Sequence, residues 1–425
     1  MKGDFSRDTF SRHKHFSRVL QQQGRVQLDA DTNEQTAILL HYLRTLAADL
    51  IGPYGGPVGD SFKISIENNE LKIGKGHYYV DGILCENDKD DATYTTQEDY
   101  PLLEEETKLP KEPYLVYLDV WERHITALED DDIREKALGG PDTATRTKVV
   151  WQVKVDDGNE SGGSSLTLDN IYSEWGQWKK RWQPKNRGCL KARVKPAEKS
   201  TEPCLIAPDA KYRGQENQLY RIEIHNGGET GAATFKWSRD NGIIVTGCIK
   251  DGTKLILDNP RGFTASGWVE LTSKELELRG EPGKLAEVAQ IEGNVLTLKT
   301  DPGSLPGIDE KYSLWIRRWE SDAISVSESD SDWLELENGI EIQFQKDSCT
   351  GDESAHQYRS GDYWLIPARV ATGDIEWPQD DKAEPRTQPP HGVQHHYAPL
   401  AVVKDGGTQS DLRCEFQPPE CKETT

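Results

Sequence analysis

Long apolar runs are missing from this sequence of 425 residues. Nothing in it approaches the ~18–20 uninterrupted apolar residues of a membrane helix, so direct membrane insertion is not expected. The opening stretch, MKGDFSRDTFSRHKHFSRVL, is polar and basic and has no apolar core of a secretory signal, so assembly in the cytoplasm is expected. Positive charge is in deficit. Lys and Arg total 51 against 73 Asp and Glu, a formal net charge of −22. A field of that sign repels phosphate backbones and anionic lipid, which argues against nucleic acid as a partner. Cysteine is sparse: seven residues and no CxxC pair, so neither a zinc ribbon nor a thioredoxin-type site can be read. Reduced thiols are the expectation without a signal peptide, although Cys189 and Cys204 could bridge a loop. GxSxG, HExxH and GxxxxGK[ST] are all absent, so no enzyme and no cofactor are expected. The abundant carboxylates guarantee chance pairs, and a hydrolase hidden among them cannot be chosen without geometry.

What is present is one helix and many strands. Asp31-Thr32-Asn33-Glu34 reads as a capping box. Leu39, Leu43, Leu46, Ala47 and Leu50 follow as one apolar stripe, and Gly52-Pro53 stops the helix. Strand signals then dominate. Residues 62–66 alternate, turn at Asn68-Asn69 and return through 71–73; 114–120 and 149–155 form a longer pair. Asn226-Gly227 and Asn241-Gly242 each mark a hairpin turn, because both central residues of a type I′ turn need positive φ. The second is expected to join 234–237 to 243–245. Several short strands between 255 and 298 suggest a small barrel. Another hairpin centres on Asn338-Gly339.

The expected class is therefore mainly β: a helical leader followed by small sandwich-like or barrel-like modules in series. The boundaries read as 1–60 for a basic arm plus amphipathic helix, 61–158 and 159–250 for two β domains, 251–305 for a barrel-like module, and 306–425 for a C-terminal β domain with a polar tail.

Three groups of side chains are candidates for function. His391, His395 and His396 could share a metal with Asp374 or Glu376. The competing reading is packed loop histidines, and adjacent residues on a strand point to opposite faces. Trp175, Trp178 and Trp182 fall at i, i+3, i+7 with Lys179, Lys180 and Arg181 between. On a helix they form one stripe, which either stacks on sugars or faces the core with snorkelling cations. The acidic run 129–132 could attract Ca²⁺ but has no EF-hand spacing, and a solvated loop accounts for it. In the arm, Phe5, Phe10 and Phe16 are interleaved with Arg12 and Arg18. Such a segment cannot form a core alone. These five residues are expected at an assembly interface, docked on a neighbour where apolar gain and charge pairing would act together; the alternative is folding back on the chain's own acidic body.

Residues 24–34, GRVQLDADTNE, resemble the start of some phage-tail and baseplate-associated proteins. The whole chain is similar to a family of uncharacterised proteins encoded beside phage-tail-like contractile injection systems. The matching blocks are 137–143 (ALGGPDT), 212–220 (YRGQENQLY), 236–241 (KWSRDN), 361–369 (GDYWLIPAR) and 395–400 (HHYAPL). The resemblance implies a structural subunit of an injection particle, in the baseplate, cage or fibre adaptor. Its partners would be baseplate, sheath or tube proteins and further copies of itself in a homo-oligomer. Release would then place it outside the cell as part of the particle. A carbohydrate- or receptor-binding module of the same particle is the rival reading.

Overall fold

Alternating side chains along short strands make this a mainly β protein. The structure, a computed structural model, describes residues 1–68, 70–158, 168–196, 211–308, 314–352, 354–404 and 408–417. The chain folds as two units. One comprises Met1–Arg7 and Pro184–Gly392; the other comprises Asp8–Gln183 and Val393–Thr425. These bounds differ from the expected series of modules, because the last strands return to pair with early ones.

The second unit holds helices α1 (Asp29–Ile51) and α2 (Leu168–Trp182). Its larger sheet runs in the order Thr408–Asp411, His396–Lys404, Tyr114–Ile125, Arg146–Asp156, all antiparallel. The expected pairing of the two long strands is present, with Leu118 opposite Val153. A smaller sheet orders Glu415–Phe416, Tyr54–Pro57, Gly76–Val80 and Ile83–Asn87. The expected hairpin of Ile64–Glu67 with Glu70–Ile73 also forms. Phe62, Leu71, Tyr78, Leu115, Leu118, Val153 and Leu400 pack in one core, and Trp175 and Trp178 of α2 close it.

The first unit contains a sandwich and a barrel. A five-stranded sheet (Ile324–Ser325, Thr234–Ser238, Gln218–Ile224, Tyr363–Arg369, Asp374–Ile375) shares a core with a three-stranded one (Leu334–Glu335, Ile340–Phe344, Leu190–Val194). The Asn338-Gly339 hairpin is present, both residues at positive φ. Six strands close the barrel: Val245–Asp251, Lys254–Leu257, Val295–Leu298, Lys284–Glu292, Trp268–Ser273 and Leu314–Trp319. It therefore extends beyond the expected 251–305 at both ends. Short helix α3 (Lys274–Arg279) is capped by Ser273, whose Oγ accepts from Leu276 N.

Three local expectations need correction. Helix α1 begins at Asp29, not after an Asp31 cap, and no side chain caps it. Asp29 and Asp31 instead sit in the first turn, where carboxylates favour the positive helix end, and Glu34 Oε2 accepts from Thr9 Oγ1 at 2.6 Å. The Asn241-Gly242 turn exists at positive φ but joins no hairpin. The strand before it pairs with Gln218–Ile224, and the one after it enters the barrel. Finally, Cys189 is bonded to Cys349, so that pair is not reduced. Cys204 lies outside the described residues.

Candidate functional site

In the second unit the feature that breaks the burial rule is α1. Ala30 and Ile38 turn inward, and the Arg44 guanidinium holds Glu122 through two bonds of 2.9 and 2.7 Å. The leucine stripe does not. Leu39 is 54% exposed, Leu43 62%, Leu46 57% and Leu50 77%. Leu40 and Tyr42 flank them and are also exposed. The spacing is 4-3-4, the interval of a seam that faces another helix or a groove. The segment leading into the helix is similarly open. Phe16, Leu20, Val26 and Leu28 are exposed, and so are Arg12, Arg18 and Arg25. Lys14 lies over the Phe16 ring at 5.8 Å. Phe10, by contrast, is half-buried and packs on His41 of α1, 5.8 Å between rings. Of the five residues expected at an interface, Phe16, Arg12 and Arg18 thus face water, while Phe10 is engaged by its own chain.

The first unit has the opposite arrangement, with charge at its centre. On Gln218–Ile224 the apolar Tyr220, Ile222 and Ile224 enter the sandwich core, which turns Arg221 and Glu223 to the other face. On Thr234–Ser238, Phe235 and Trp237 enter the core and Lys236 turns away. The barrel contributes Glu270, Arg317 and Trp319 from outward positions of strands whose Val269, Leu271, Leu314 and Ile316 fill its interior. These polar faces meet each other and not solvent. All six of these residues are buried.

The bonds of this lock are direct. Glu223 accepts from Arg221 Nε at 2.6 Å and lies 3.5 Å from Lys236 Nζ. Lys236 Nζ reaches Glu270 Oε1 at 2.6 Å, His225 Nδ1 at 3.2 Å, and the Trp319 ring at 4.4 Å from its centroid. Glu270 also accepts from Trp319 Nε1 at 2.8 Å and from Gly283 N at 3.0 Å. Burial alone would raise both carboxyls, but the cations outweigh it. Glu270 is held down at about 2, and Glu223 is held well below the usual carboxylate range by Lys2, Arg221 and Lys236. Burial and Lys236 lower His225 to about 4, so it is neutral at pH 7. A general acid needs a raised pKa, and neither carboxylate has one. The arrangement is an electrostatic fastening.

The chain's first residues are part of that fastening. Lys2 Nζ sits 3.1 Å from Glu223 Oε1 and 5.8 Å from the Trp319 ring centroid. Arg221 Nη1 donates to Met1 O at 3.2 Å, and Asn241 Nδ2 donates to Met1 O and Gly3 O at 3.3 and 2.9 Å. The Met1 amino group donates to Tyr363 Oη at 2.5 Å. The left-handed turn at Asn241 is therefore the clamp for this strap. Phe5 is half-buried, with its N–H on Gly3 O. Residues 1–3 are seated in their own chain, the fold-back arrangement, while Phe16, Arg12 and Arg18 stay open. Charged residues alternating on two strands read as solvent faces in the sequence, which is why the lock was not foreseen.

The other candidates have separate fates. The tryptophan stripe faces inward: Trp175 and Trp178 are buried and Trp182 is half-buried, stacked on Tyr117 at 3.9 Å. The helix needed an apolar face to close its sheet, so these rings are core and not a sugar platform. The histidines do not converge. His391 pairs with Tyr363 through backbone bonds, His395 Nδ1 lies 2.7 Å from Asp119 Oδ1, and His396 Nδ1 lies 2.8 Å from Asp81 Oδ2. Glu376 is held by Arg369. In the acidic run, Glu129 pairs with Arg123, Asp131 with Arg134 and Asp132 with Lys136. Among the described residues no group of three His, Cys, Asp or Glu is placed to hold a metal ion.

Fold and site together define a mainly β chain of two units, one fastened by buried charge and one presenting an open helical face. The chain belongs to DUF6519, a family of unknown function, which matches residues 1–173, 184–279 and 258–424. No curated protein and no solved structure matches it.

Proposed function

We propose that the protein is a structural subunit that works by protein–protein contact and not by catalysis, with the leucine seam of α1 as its docking surface. The observation that carries this reading is the exposure of Leu39, Leu43, Leu46 and Leu50 along one line. A helix of 23 residues is about 34 Å long, enough to lie in a groove or along another helix. Each apolar Å² left in water forgoes roughly 25 cal/mol, so a contiguous strip of this kind marks an interaction site. The neighbouring basic, aromatic segment adds charge complementarity to acidic partner surfaces. The sequence likeness to proteins encoded with contractile injection systems supports such a particle as the setting, with baseplate, sheath or tube proteins and further copies of the chain as partners.

Affinity purification from the native host tests this. The full chain is expected to bring down identified sheath, tube or baseplate proteins, and Leu43→Glu/Leu46→Glu is expected to lose them while remaining folded. Recovery of the same proteins by the double variant, or of none by the parent chain, would overturn the reading.

A further inference from the structure

The seat of Met1-Lys2-Gly3 is built like a peptide-binding site. It offers a carboxylate for the lysine, an amide and a guanidinium for two backbone carbonyls, and an aromatic ring near the cation. Its carboxylate has cation partners besides its occupant. When Lys2 leaves, Glu223 keeps Arg221 at 2.6 Å and Lys236 at 3.5 Å, so no buried carboxylate is stranded. Docking Lys2 has a cost of its own: burial lowers its pKa, with the attraction of Glu223 opposing that shift.

The connecting segment imposes little on where the strap goes. Residues 8–28 form only one short 3₁₀ turn, Arg12–Lys14. Every residue from 12 to 29 except Val19 is exposed. It is anchored on α1 by Thr9 to Glu34, Phe10 against His41, and Val19 N to Gln35 Oε1 at 2.8 Å. Extended, 21 residues reach about 70 Å.

We propose that this seat is an exchange site, and that in the assembled protein it holds Met1-Lys2-Gly3 of a second copy. Every bond within the seat is the same whether the strap comes from its own chain or from another, so the choice is set by effective concentration and by the path of the connecting segment. Exchange of an identical element is a low-cost route to joining copies. The second copy is the fitting occupant because the receptor is complementary to this chain's own opening residues. The inference rests on the assembly reading for the crowding of copies, and not on the seam of α1.

Zero-length cross-linking of the assembled full-length protein provides the test. A carbodiimide condenses Lys2 with Glu223, and the products separate on a denaturing gel after reduction. The Lys2–Glu223 peptide is expected in the dimer band, and Lys2→Gln is expected to remove it and weaken that band several-fold. A Lys2–Glu223 peptide confined to the monomer band, or absent from both bands, overturns exchange. The assembly reading would stand through either result if Leu43→Glu/Leu46→Glu still lost its partners. A parent chain that stays monomeric and recovers no partner would sink that reading separately.

Discussion

The two units depart from the usual inside-outside rule in opposite directions. In the first, Arg221, Glu223, Lys236 and Glu270 are removed from water, yet each has a partner of opposite charge. In the second, Leu39, Leu43, Leu46 and Leu50 each stay more than half exposed to water. The lock is complete as it stands and specifies how sandwich and barrel strands align. The seam stays open to water, and the proposed function assigns it to a partner. Buried charge therefore speaks to internal architecture here, and exposed leucine to the assembly proposed above.

The sharpest way to break that contrast is to remove one charge from the lock. Lys236→Met leaves Glu270 buried without its 2.6 Å partner, and a stability loss of about 3–5 kcal/mol is expected in denaturant unfolding. A loss of a few tenths would mean that the network behaves like a surface ion pair.

Acid should open the same region next. Glu270 is lowered from 4.5 to about 2, so its stabilising contribution is fully present above pH 4.5 and disappears as pH falls through about 2. Melting temperature is expected to fall across that window, and Glu270→Gln to flatten the slope. A parent profile indifferent to pH between 4.5 and 2 would contradict the lock.

The smallest effect is expected from the seam. Leu43→Glu/Leu46→Glu should change the unfolding free energy of the isolated chain by no more than about 0.5 kcal/mol, the range for surface substitutions. A loss of several kcal/mol would place the leucines in a core and erase the contrast.

Much of the fold is legible in the sequence because alternation and turn chemistry are local. The long pair Tyr114–Ile125 with Arg146–Asp156, the Asn338-Gly339 hairpin and the stop at Gly52 all follow from such signals. What escapes is long-range. Asn241-Gly242 supplies the positive φ of a hairpin turn, but its strands take other partners and Asn241 clasps residues 1–3. The Cys189–Cys349 bond spans 160 residues, so no spacing rule marks it. Arg221, Glu223 and Lys236 look solvent-facing until a second sheet surface covers them. For the helices, periodicity finds the stripe on both α1 and α2, but not which one will be covered. Trp175 and Trp178 of α2 are buried, and the leucines of α1 are not.

The route of the chain between its units has a consequence for biosynthesis. His396–Lys404 lies beside Tyr114–Ile125 in the sheet, with His396 opposite Val120. On a ribosome adding roughly 5–20 residues per second, residues 184–392 take about 10–40 s to appear. Throughout that interval the edge carrying Tyr114, Val116, Leu118 and Val120 has no neighbour on that side. The unit that holds α1 therefore cannot complete its larger sheet until residues 396–404 have been made.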